Sequence, residues 1–480
     1  MNYRMVWQIV GRVLCTEAVL LLIPLITALC FGESVVPFLI TIALCAVAGV
    51  LLLLLKPNNS KIFAREGFIS VALSWVVISL FGAVPFVICG DIPNYIDAFF
   101  ETVSGFTTTG ASIATNLEAF SRGCLIWRSF THWIGGMGFL VFIMTMMPMA
   151  GTRSMHIMRA EVPGPTVGKL VPNAKKTARI LYSIYIGMTV LEAILLLCGG
   201  MDVFDALIHA FGTAGTGGFS NRALSIGYYD SAYIDGVITV FMFLFGVNFN
   251  LYYLILLGRF TAALKSEELR WYACIALFAI LTITFNIMPL YDGSFLRGLR
   301  YASFQVGSII STTGYATADF NLWPEYSRWI LILLTFTGAC AGSTGGGMKI
   351  SRVMLLCKAA RQEIRKQHRP HSVSLVMLEG KAMPDSAVHT TLVFFVCYLG
   401  MLLLGTLFVS LDGFDFVTNF TATLTCISNV GPGLAVVGPR GGFSEFSGIC
   451  KLFFSFCMLF GRLEVFPMLM LFSPAVWRKQ

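Results

Sequence analysis

Long apolar stretches alternate with short polar loops along nearly the whole chain. Ten stretches reach the roughly 20 residues that a membrane-spanning helix needs. They lie at about 5–31, 35–55, 66–90, 123–150, 177–200, 232–258, 270–290, 327–350, 387–411 and 447–472. Shorter amphipathic stretches lie between members of the last eight, near 95–106, 202–213, 298–310 and 414–427. The shorter stretches cannot cross a bilayer, so the pattern predicts re-entrant half-helices there.

Each predicted half-helix runs into a short glycine motif. The four motifs are SerGlyPheThrThrThrGlyAlaSer at 104–112, GlyThrAlaGlyThrGlyGlyPheSer at 212–220, IleIleSerThrThrGlyTyrAla at 309–316 and CysIleSerAsnValGlyProGly at 426–433. We align them on Gly110, Gly217, Gly314 and Gly431, which are about 100 residues apart, a period that suits a repeated membrane unit. A single motif could be a tight turn, but four copies between apolar helices favour a pore built inside one chain.

The repeat predicts an all-α polytopic membrane protein. Two leading transmembrane helices precede four tandem helix, pore-loop and helix units in a pseudo-fourfold arrangement. We expect the leading helices at 1–60 and the units at 61–155, 156–262, 263–370 and 371–480, with a broken second helix in the third unit. The even number of spans places both termini on one side.

Composition supports this fold, because 56% of the residues are hydrophobic and 12% are charged, against about a quarter charged in soluble domains. The net charge of +8 does not indicate nucleic-acid binding, since the basic residues are confined to a few loops. The 13 cysteines are scattered without the paired spacing of a zinc site or a disulfide framework. We interpret them as small core residues.

The charges of the loops predict the orientation. Basic residues cluster at 56–65, 153–179, 259–270 and 349–381, in the loops without a glycine motif, so these loops and both termini are expected in the cytoplasm. Carboxylates prevail on the other side, at Asp91, Asp97, Glu101, Glu118, Asp202, Asp205, Asp230, Asp292, Asp319, Asp412 and Asp415. We expect an acidic outer mouth that concentrates cations, although ordinary solvated loops would account for most of these side chains individually.

The glycine motifs carry the chemistry of a cation filter. A cation that leaves water needs replacement oxygens, which inward-pointing backbone carbonyls supply, and glycine accepts the positive dihedrals that this backbone requires. Threonine hydroxyls add oxygen ligands without formal charge, which favours a monovalent cation. The predicted ligands are Thr108, Thr109, Gly110, Thr216, Gly217, Gly218, Thr312, Thr313, Gly314, Asn429, Val430 and Gly431. Asn429 and Val430 replace two threonines, so discrimination against Na⁺ is expected to be looser than in a symmetric filter.

Several longer motifs carry a resemblance to a known family. They are ArgGluGlyPhe at 65–68, TrpArgSerPheThrHisTrpIleGlyGlyMetGly at 127–138, ThrAlaGlyThrGlyGlyPheSer at 213–220, ThrThrGlyTyrAlaThrAlaAspPheAsn at 312–321, GlySerThrGlyGlyGlyMetLys at 342–349, SerAsnValGlyProGly at 428–433 and GlyArgLeuGluValPhePro at 461–467. Over nearly its whole length the chain resembles the Trk/Ktr potassium-transporter superfamily. The two leading helices match its TrkH-type membrane subunits.

The resemblance implies uptake of K⁺ across a bacterial cytoplasmic membrane, with no enzymatic activity and no organic cofactor. It also implies a homodimer with one pore per subunit, and a cytosolic nucleotide-binding regulator of the TrkA type. The chain departs from the family pattern in one cytoplasmic loop, where ProAsnAlaLysLys at 172–176 stands in place of the ProArg of many members. This departure bears on the inferred regulator.

Glycines interrupt the eighth apolar stretch, and each one disfavours helix by up to about 1 kcal/mol. We therefore predict a break, and membrane-depth loops of this kind are tolerated only when buried in protein or facing a water cavity. The segment Gly342, Ser343, Thr344, Gly345, Gly346 and Gly347 is expected beneath the filter. It is not a phosphate-binding loop, since Met348 separates glycine from lysine and no strand precedes it. The resemblance implies that this segment is an intramembrane gate.

Arg462 lies at a membrane depth similar to that of Gly342, because each is about 15 residues from the outer end of its helix. An arginine within a span is a functional candidate. We hypothesise that it donates to carbonyls of the glycine-rich segment and sets an electrostatic barrier to cations. The alternative is an arginine that reaches toward the inner interface.

Three further features have alternative interpretations. His132 is either a proton-coupling site or, as we favour, a helix-packing residue. Asn248 and Asn250 are expected to hydrogen-bond between helices. The basic run 358–369 either docks the regulator or faces anionic membrane lipid.

Two other classes of function remain open at this point. An H⁺- or Na⁺-coupled secondary transporter of a small solute would also use broken helices, but would show two inverted repeats instead of four parallel units. An intramembrane enzyme is less favoured, because the six histidines are far apart and neither HisGluXaaXaaHis nor GlyXaaSerXaaGly occurs.

Overall fold

Helices make up nearly all the regular structure of the protein in a computed structural model that describes residues 2–55, 64–138, 174–369, 375–463 and 465–474. The only strands in these ranges form a two-stranded antiparallel hairpin, β1 Met377–Leu378 and β2 Lys381–Ala382. The predicted all-α class is confirmed.

The helices follow one another in four similar groups after three leading helices. The leading helices are α1 Tyr3–Leu20, α2 Leu22–Cys30 and α3 Val36–Leu53. The first two groups comprise α4 Ala64–Gly82, α5 Val84–Cys89, α6 Tyr95–Phe106, α7 Arg122–Gly136, α8 Ala174–Cys198, α9 Val203–Gly215, α10 Ala232–Phe245, α11 Phe249–Leu256 and α12 Phe260–Leu264. The last two comprise α13 Glu267–Ile287, α14 Phe295–Ile310, α15 Glu325–Thr337, α16 Ile350–His368, α17 Asp385–Val409, α18 Phe416–Ser428, α19 Gly448–Arg462 and α20 Val465–Phe472.

Six helical segments of the described residues are long and apolar enough to cross a membrane. They are Tyr3–Cys30, Val36–Leu53, Arg65–Cys89, Ala178–Cys198, Glu267–Tyr291 and Asp385–Asp412. These correspond to six of the ten predicted spans. The other four predicted spans each follow a glycine motif, and three of them are not single continuous helices. The fourth, 123–150, is described only as far as residue 138.

The predicted span at 232–258 is not one continuous helix, because α10 and α11 meet at an angle of 93°. Asn248 causes the restart, since its side-chain Oδ1 accepts the Asn250 backbone N–H at 3.0 Å as an N-cap. The stretch at 327–350 breaks after Thr337, as predicted from its glycines, and the stretch at 447–472 is interrupted after Arg462.

The four predicted half-helices are present as α6, α9, α14 and α18. Each begins at a side chain that accepts a backbone N–H, which satisfies one of the free donors of a helix N-terminus. The caps are Asn94, Asp202, Ser294 and Asp415. Three of the helices that follow the motifs, α7, α10 and α19, begin at serine caps, namely Ser121, Ser231 and Ser447.

The leading helices α1 and α3 pack closely against each other. A Cβ atom added to Gly11 of α1 would lie 2.9 Å from the carbonyl oxygen of Gly49 in α3, and the reverse distance is also 2.9 Å. Such small-residue contacts let helix backbones approach where apolar burial alone gives little association. The largest fully buried side chains include Trp75, Trp127 and Tyr185, which place the core around the pore-loop units.

Three of the predicted unit boundaries, at 60/61, 155/156 and 370/371, lie outside the described residues, and 262/263 falls within α12. Several predicted cytoplasmic cations also lie outside them, namely Lys56, Lys61, Arg153, Arg159 and Lys169, as do residues 172 and 173 of the departing motif.

Candidate functional site

The four glycine motifs share one backbone pattern. In each, a residue with a positive φ is followed two positions later by a glycine with a positive φ. The pairs are Thr108 (54°) and Gly110 (78°), Thr216 (54°) and Gly218 (74°), Thr312 (61°) and Gly314 (85°), and Asn429 (55°) and Gly431 (93°). The equivalent glycine of the second motif is therefore Gly218, and our alignment on Gly217 was wrong by one residue.

The four motifs contact one another in a closed ring. A Cβ atom on Gly110 would lie 2.0 Å from the carbonyl oxygen of Gly217 in the second motif. The same construction on Gly218, Gly314 and Gly431 meets the carbonyl oxygens of Thr313 (2.1 Å), Val430 (2.2 Å) and Thr109 (2.6 Å). Each glycine thus abuts the next motif in chain order, and the fourth abuts the first. The expectation that the motifs surround a common axis is met by this closure.

The carbonyl oxygens in the ring belong to equivalent positions. They are contributed by Thr109, Gly217, Thr313 and Val430, each one residue before a positive-φ glycine. All twelve predicted ligand residues lie in the four ring segments. The ring brings together atoms that are up to about 320 residues apart in the chain, including Asn429 Nδ2 and Thr109 Oγ1 at 2.9 Å.

Most hydroxyls of the motifs form hydrogen bonds within the protein, and their role as additional cation ligands stays a prediction. Thr109 Oγ1 pairs with Thr107 Oγ1 at 2.8 Å, and Thr313 Oγ1 pairs with Ser311 Oγ at 2.6 Å. Thr216 Oγ1 donates to its neighbour's carbonyl at 2.6 Å. These bonds hold the motif hydroxyls against neighbouring protein groups.

His132 explains why the second motif has glycine at position 217. The ring of His132 lies 2.3 Å from an added Cβ at Gly217, so a side chain there would collide with it. His132 Nδ1 pairs with the carbonyl of Gly105 at 2.8 Å, and its ring lies 4.1 Å from that of Phe219. These contacts agree with the packing interpretation of this histidine.

A funnel of about 360 Å³ opens above the ring. The charged residues that line it are Arg128, Arg222, Arg440 and Glu445, so the expectation of an acidic mouth was wrong. Most of the predicted carboxylates with a described partner are paired with cations in the surrounding loops: Glu101 with Arg128, Asp205 with Arg222, Asp97 with Lys451, Asp230 with Arg300, Asp292 with Arg297 and Asp319 with Arg440.

Arg128 holds the base of the funnel together. It is 3% exposed and forms an ion pair with Glu101 at 2.5 Å, donates to the Ser220 carbonyl at 2.9 Å and lies 3.5 Å from the ring centre of Phe219. Arg222 plays a related part nearer to solvent. Burial lowers its pKa, but the hydrogen bond to Asp205, the Asp205 charge and the nearby tyrosines together outweigh burial and raise the pKa above the ordinary arginine value.

The segment between α15 and α16, residues 338–349, lies directly beneath the ring. The backbone N–H of Gly346 donates to Thr312 Oγ1 at 2.7 Å. Added Cβ atoms on Gly345 and Gly346 would lie 2.8 Å from the Ser311 carbonyl oxygen and 2.7 Å from that of Ser428. Glycine is required at these two positions, because the segment touches the third and fourth motifs backbone to backbone.

The bend between α10 and α11 supports the same segment from the side. Cys340 N–H donates to the Gly246 carbonyl and Phe249 N–H donates to the Gly342 carbonyl, both at 3.0 Å. Asn248 therefore lies at the edge of the segment and caps its own helix, and the prediction that it bonds between helices missed this role.

Two charged residues at this segment were not predicted. Lys349, which we assigned to a cytoplasmic loop, is 1% exposed, and its Nζ donates to the Gly345 carbonyl. Glu268 of α13 accepts the backbone N–H groups of Ala341 at 2.7 Å and of Ser351 at 3.2 Å. The sequence signal for Lys349 was its place just beyond the glycine run, after Met348. Glu268 shows only as a carboxylate in the first turn of an apolar helix.

Arg462 contacts the glycine-rich segment, as its matched depth predicts. Its guanidinium donates to the carbonyls of Thr344 at 2.7 Å, Gly135 at 2.5 Å and Gly136 at 2.8 Å. One side chain at the end of α19 thus connects the segment to the end of α7.

The basic run on α16 is divided between bonded and exposed residues. Lys358 pairs with Glu267 and donates to the Met377 carbonyl at 2.8 Å, which joins α16 to the hairpin. Arg361 and Arg365 are exposed farther along the helix.

Comparisons with known proteins agree over the full length. The sequence model of the TrkH family, described as "Cation transport protein", matches residues 35–268 and 275–479. "Trk system potassium uptake protein TrkH" of Escherichia coli (strain K12) is 34% identical over 490 residues and covers all of both chains. TrkI of Halomonas elongata is 32% identical over 86% of this chain and 84% of its own. "Crystal Structure of the Potassium Transporter TrkH from Vibrio parahaemolyticus" superimposes with a TM-score of 0.90 at 32% identity, over 100% of both chains.

Proposed function

We propose that this chain, which belongs to the TrkH family of cation transport proteins, takes up potassium ions through a single pore formed by its four glycine motifs. The resemblance stated from the sequence is confirmed, and the chain is a multi-pass membrane protein that transports and does not catalyse. Its curated relatives are named as potassium uptake proteins. Potassium is the transported substrate and not a resident cofactor.

The closed ring of the motifs carries this proposal. A dehydrated K⁺ needs oxygen ligands on several sides, and the four carbonyls of Thr109, Gly217, Thr313 and Val430 come from equivalent positions around one axis. Carbonyl dipoles hold a monovalent cation without the tight binding that a ring of carboxylates would give. We assign the filter to the twelve motif residues predicted from the sequence, with Gly218 aligned to Gly110.

The four motifs of the ring are unequal, which supports a K⁺ filter with limited discrimination against Na⁺. The fourth motif contributes Asn429 and Val430, and Asn429 Nδ2 bonds both Thr109 Oγ1 and the Met458 carbonyl at 2.9 Å. Selectivity over Na⁺ is therefore expected but limited. Inward movement of the ion is driven by the membrane potential, at about 2.3 kcal/mol per charge for each 100 mV.

The segment 338–349 and Arg462 are proposed as the gate. The segment lies on the side of the ring that is opposite the funnel, and Arg462 bonds its Thr344 carbonyl at 2.7 Å. At an effective dielectric constant of about 20, a positive charge about 8 Å from the ion costs about 2 kcal/mol. Opening would require the segment to move away from Thr312 and Ser428, which its many glycines permit.

Ion selectivity tests the function. The purified chain is reconstituted in liposomes, and reversal potentials are measured in opposed K⁺ and Na⁺ gradients. We expect a potential near that of K⁺. A potential that shows no preference, or uptake that needs a small organic solute and carries no ionic current, overturns the proposal in favour of a non-selective pore or a coupled transporter.

Arg462 tests the gate. Arg462→Ala is expected to raise basal K⁺ flux by about tenfold or more, the equivalent of about 1.4 kcal/mol, whereas Arg462→Lys keeps the charge and loses only the bifurcated bonds. The control is Arg297→Ala, at an exposed ion pair with Asp292, which leaves flux unchanged. Equal flux in wild type and Arg462→Ala contradicts the barrier.

The remaining assignments rest on the Trk family. We propose a homodimer in the bacterial cytoplasmic membrane, with termini in the cytoplasm, the five expected sequence units, and a nucleotide-binding subunit of the TrkA type as regulator. Relatives named as parts of a Trk system belong to a multi-component system. The exposed end of α16 is the proposed docking surface, and Arg361→Glu with Arg365→Glu is expected to abolish co-purification of the regulator. Retained co-purification with loss of binding to anionic vesicles assigns this surface to lipid.

A further inference from the structure

Three potential metal ligands meet at the funnel side of the protein, outside the pore. The thiols of Cys89 and Cys124 and a carboxylate oxygen of Asp91 all lie within 4.8 Å of one another. Cys89 ends α5, Asp91 follows it, and Cys124 lies in the first turn of α7. The three residues are separated in sequence, so the sequence spacing that argued against a zinc site did not reveal them.

The cluster lies on the outer surface that leads into the first pore motif. The chain passes from Cys89 through Asp91 into α6, descends to the ring and returns through the funnel lining to Ser121, where α7 begins. Cys89 and Asp91 are half-buried and Cys124 is buried. Two of the three ligand residues are therefore partly accessible at the protein surface.

The surroundings of the cluster favour a cation. Glu33 lies beside it and accepts the backbone N–H groups of Arg122 at 2.7 Å and Gly123 at 3.0 Å. The guanidinium of Arg122 is directed to the rings of Phe31 and Phe204, at 5.6 and 4.9 Å. Asp91 accepts Ser121 Oγ at 2.7 Å through Oδ2. Its Oδ1 makes only a 3.4 Å contact with the Ser121 N–H, which leaves lone pairs for a metal.

The geometry points to a binding site for a thiophilic divalent cation, with Zn²⁺ as the best match, held by Cys89, Cys124, Asp91 and water. Zinc accepts two sulfurs and one carboxylate oxygen in a tetrahedron, with Zn–S near 2.3 Å and Zn–O near 2.0–2.2 Å. Ligand atoms around such an ion are about 3.3–3.8 Å apart, so the cluster needs to contract by about 1 Å. Both cysteines are free thiols, which become thiolates and release two protons as the metal binds.

Metal binding at this place joins two helices that flank the first pore motif. The ion connects the end of α5 to the first turn of α7, and α7 carries Arg128 and His132, which contact the ring and the funnel. The site is independent of the proposed ion selectivity, because neither its ligands nor its test involve the filter.

Zinc stoichiometry tests the site. The full-length chain in detergent, kept reduced with a phosphine, is dialysed against Zn²⁺, and bound metal is counted by mass spectrometry. We expect Cys89→Ser and Cys124→Ser each to bind one Zn²⁺ fewer than wild type. The control is Cys198→Ser, an exposed cysteine at the funnel-side end of α8, which is expected to keep the full count.

Two further measurements keep the test decisive if Cys124→Ser does not fold. Asp91→Asn, which retains an oxygen for Ser121, is expected to weaken Zn²⁺ binding at least tenfold, and Co²⁺ in the wild-type chain is expected to show a thiolate charge-transfer band that Cys89→Ser lacks. Equal zinc counts in wild type and Cys89→Ser overturn the site. A wild-type chain that binds no zinc, or that isolates with a Cys89 to Cys124 disulfide which the phosphine does not open, also overturns it.

Discussion

The contact of Gly110 with the second pore motif makes the ring testable by a single methyl group. An added Cβ would lie 2.0 Å from the Gly217 carbonyl oxygen, whereas real Cβ atoms essentially never come closer than 3.0 Å. In Gly110→Ala the two motifs must therefore separate by about 1 Å. The carbonyl that moves is one of the four that we assign to the ion, so the change acts on the ligand ring itself.

The energetic cost of Gly110→Ala has two parts, and the same substitution at a second glycine, Gly413, measures one of them alone. A side chain at the Gly110 φ of 78° costs about 1–2 kcal/mol of backbone strain, and overpacking a tight contact adds about 1–3 kcal/mol. Gly413 has a similar φ of 80° with nothing within 4 Å of its added Cβ. Gly413→Ala thus carries the strain alone, and the difference between the variants measures the disturbance of the ring.

The assay is the ratio of K⁺ to Na⁺ permeability, obtained from reversal potentials in proteoliposomes, with thermal unfolding in detergent measured in parallel. We expect Gly110→Ala to lose K⁺ preference by about tenfold, which corresponds to about 1.4 kcal/mol and lies within the overpacking estimate. Gly413→Ala is expected to keep the wild-type ratio. An unchanged ratio in a folded Gly110→Ala protein would refute the assignment of these carbonyls to the ion.

Three other substitutions probe the supports of the pore. Glu268→Ala removes the acceptor of two backbone N–H groups at the proposed gate, and should lower the free energy of unfolding by about 1–3 kcal/mol per orphaned group and raise basal flux. Arg128→Lys keeps the charge beside Glu101 but loses the planar guanidinium, so thermal stability should fall. The loss of stability in the double variant Glu101→Gln, Arg128→Lys should be smaller than the sum of the losses in the two single variants. Gly461→Ala places a Cβ 1.9 Å from the Ile427 carbonyl oxygen and should perturb the fourth motif, seen as reduced K⁺ flux.

Each of these predictions has a contrary outcome. Wild-type flux and stability in Glu268→Ala would show that water replaces the carboxylate. Full additivity of the Arg128 and Glu101 changes would show that the ion pair is not a unit. Unaltered flux in Gly461→Ala would show that α19 can move away without disturbing the ring.

The half-helices were predictable from sequence because their ends carry strong local signals. The first was predicted at 95–106 and is found at Tyr95–Phe106, between the Asn94 cap and the first positive-φ threonine. The straight spans were less predictable, since a hydropathy count registers composition and not direction. Asn248 has little effect on the mean hydropathy of its stretch, yet it restarts the helix at 93°.

The site was predictable in its backbone and not in its side-chain partners. The glycine motifs and the Arg462 contact follow from positions along the chain and from membrane depth. The register of the second motif does not, because Gly217 and Gly218 are adjacent and only the backbone dihedrals distinguish them. The acidic mouth failed for a related reason, since pairing such as that of Glu101 with Arg128 is decided by tertiary packing.

The closure between Thr109 and Asn429 has a consequence for biosynthesis. Because this bond joins residues 320 positions apart, three quarters of the circle exist in the nascent chain before the last quarter leaves the ribosome. A prematurely terminated polypeptide would contain an incomplete ring of carbonyls that is open on one side. Such a product is expected to be removed by proteolysis before it leaks ions.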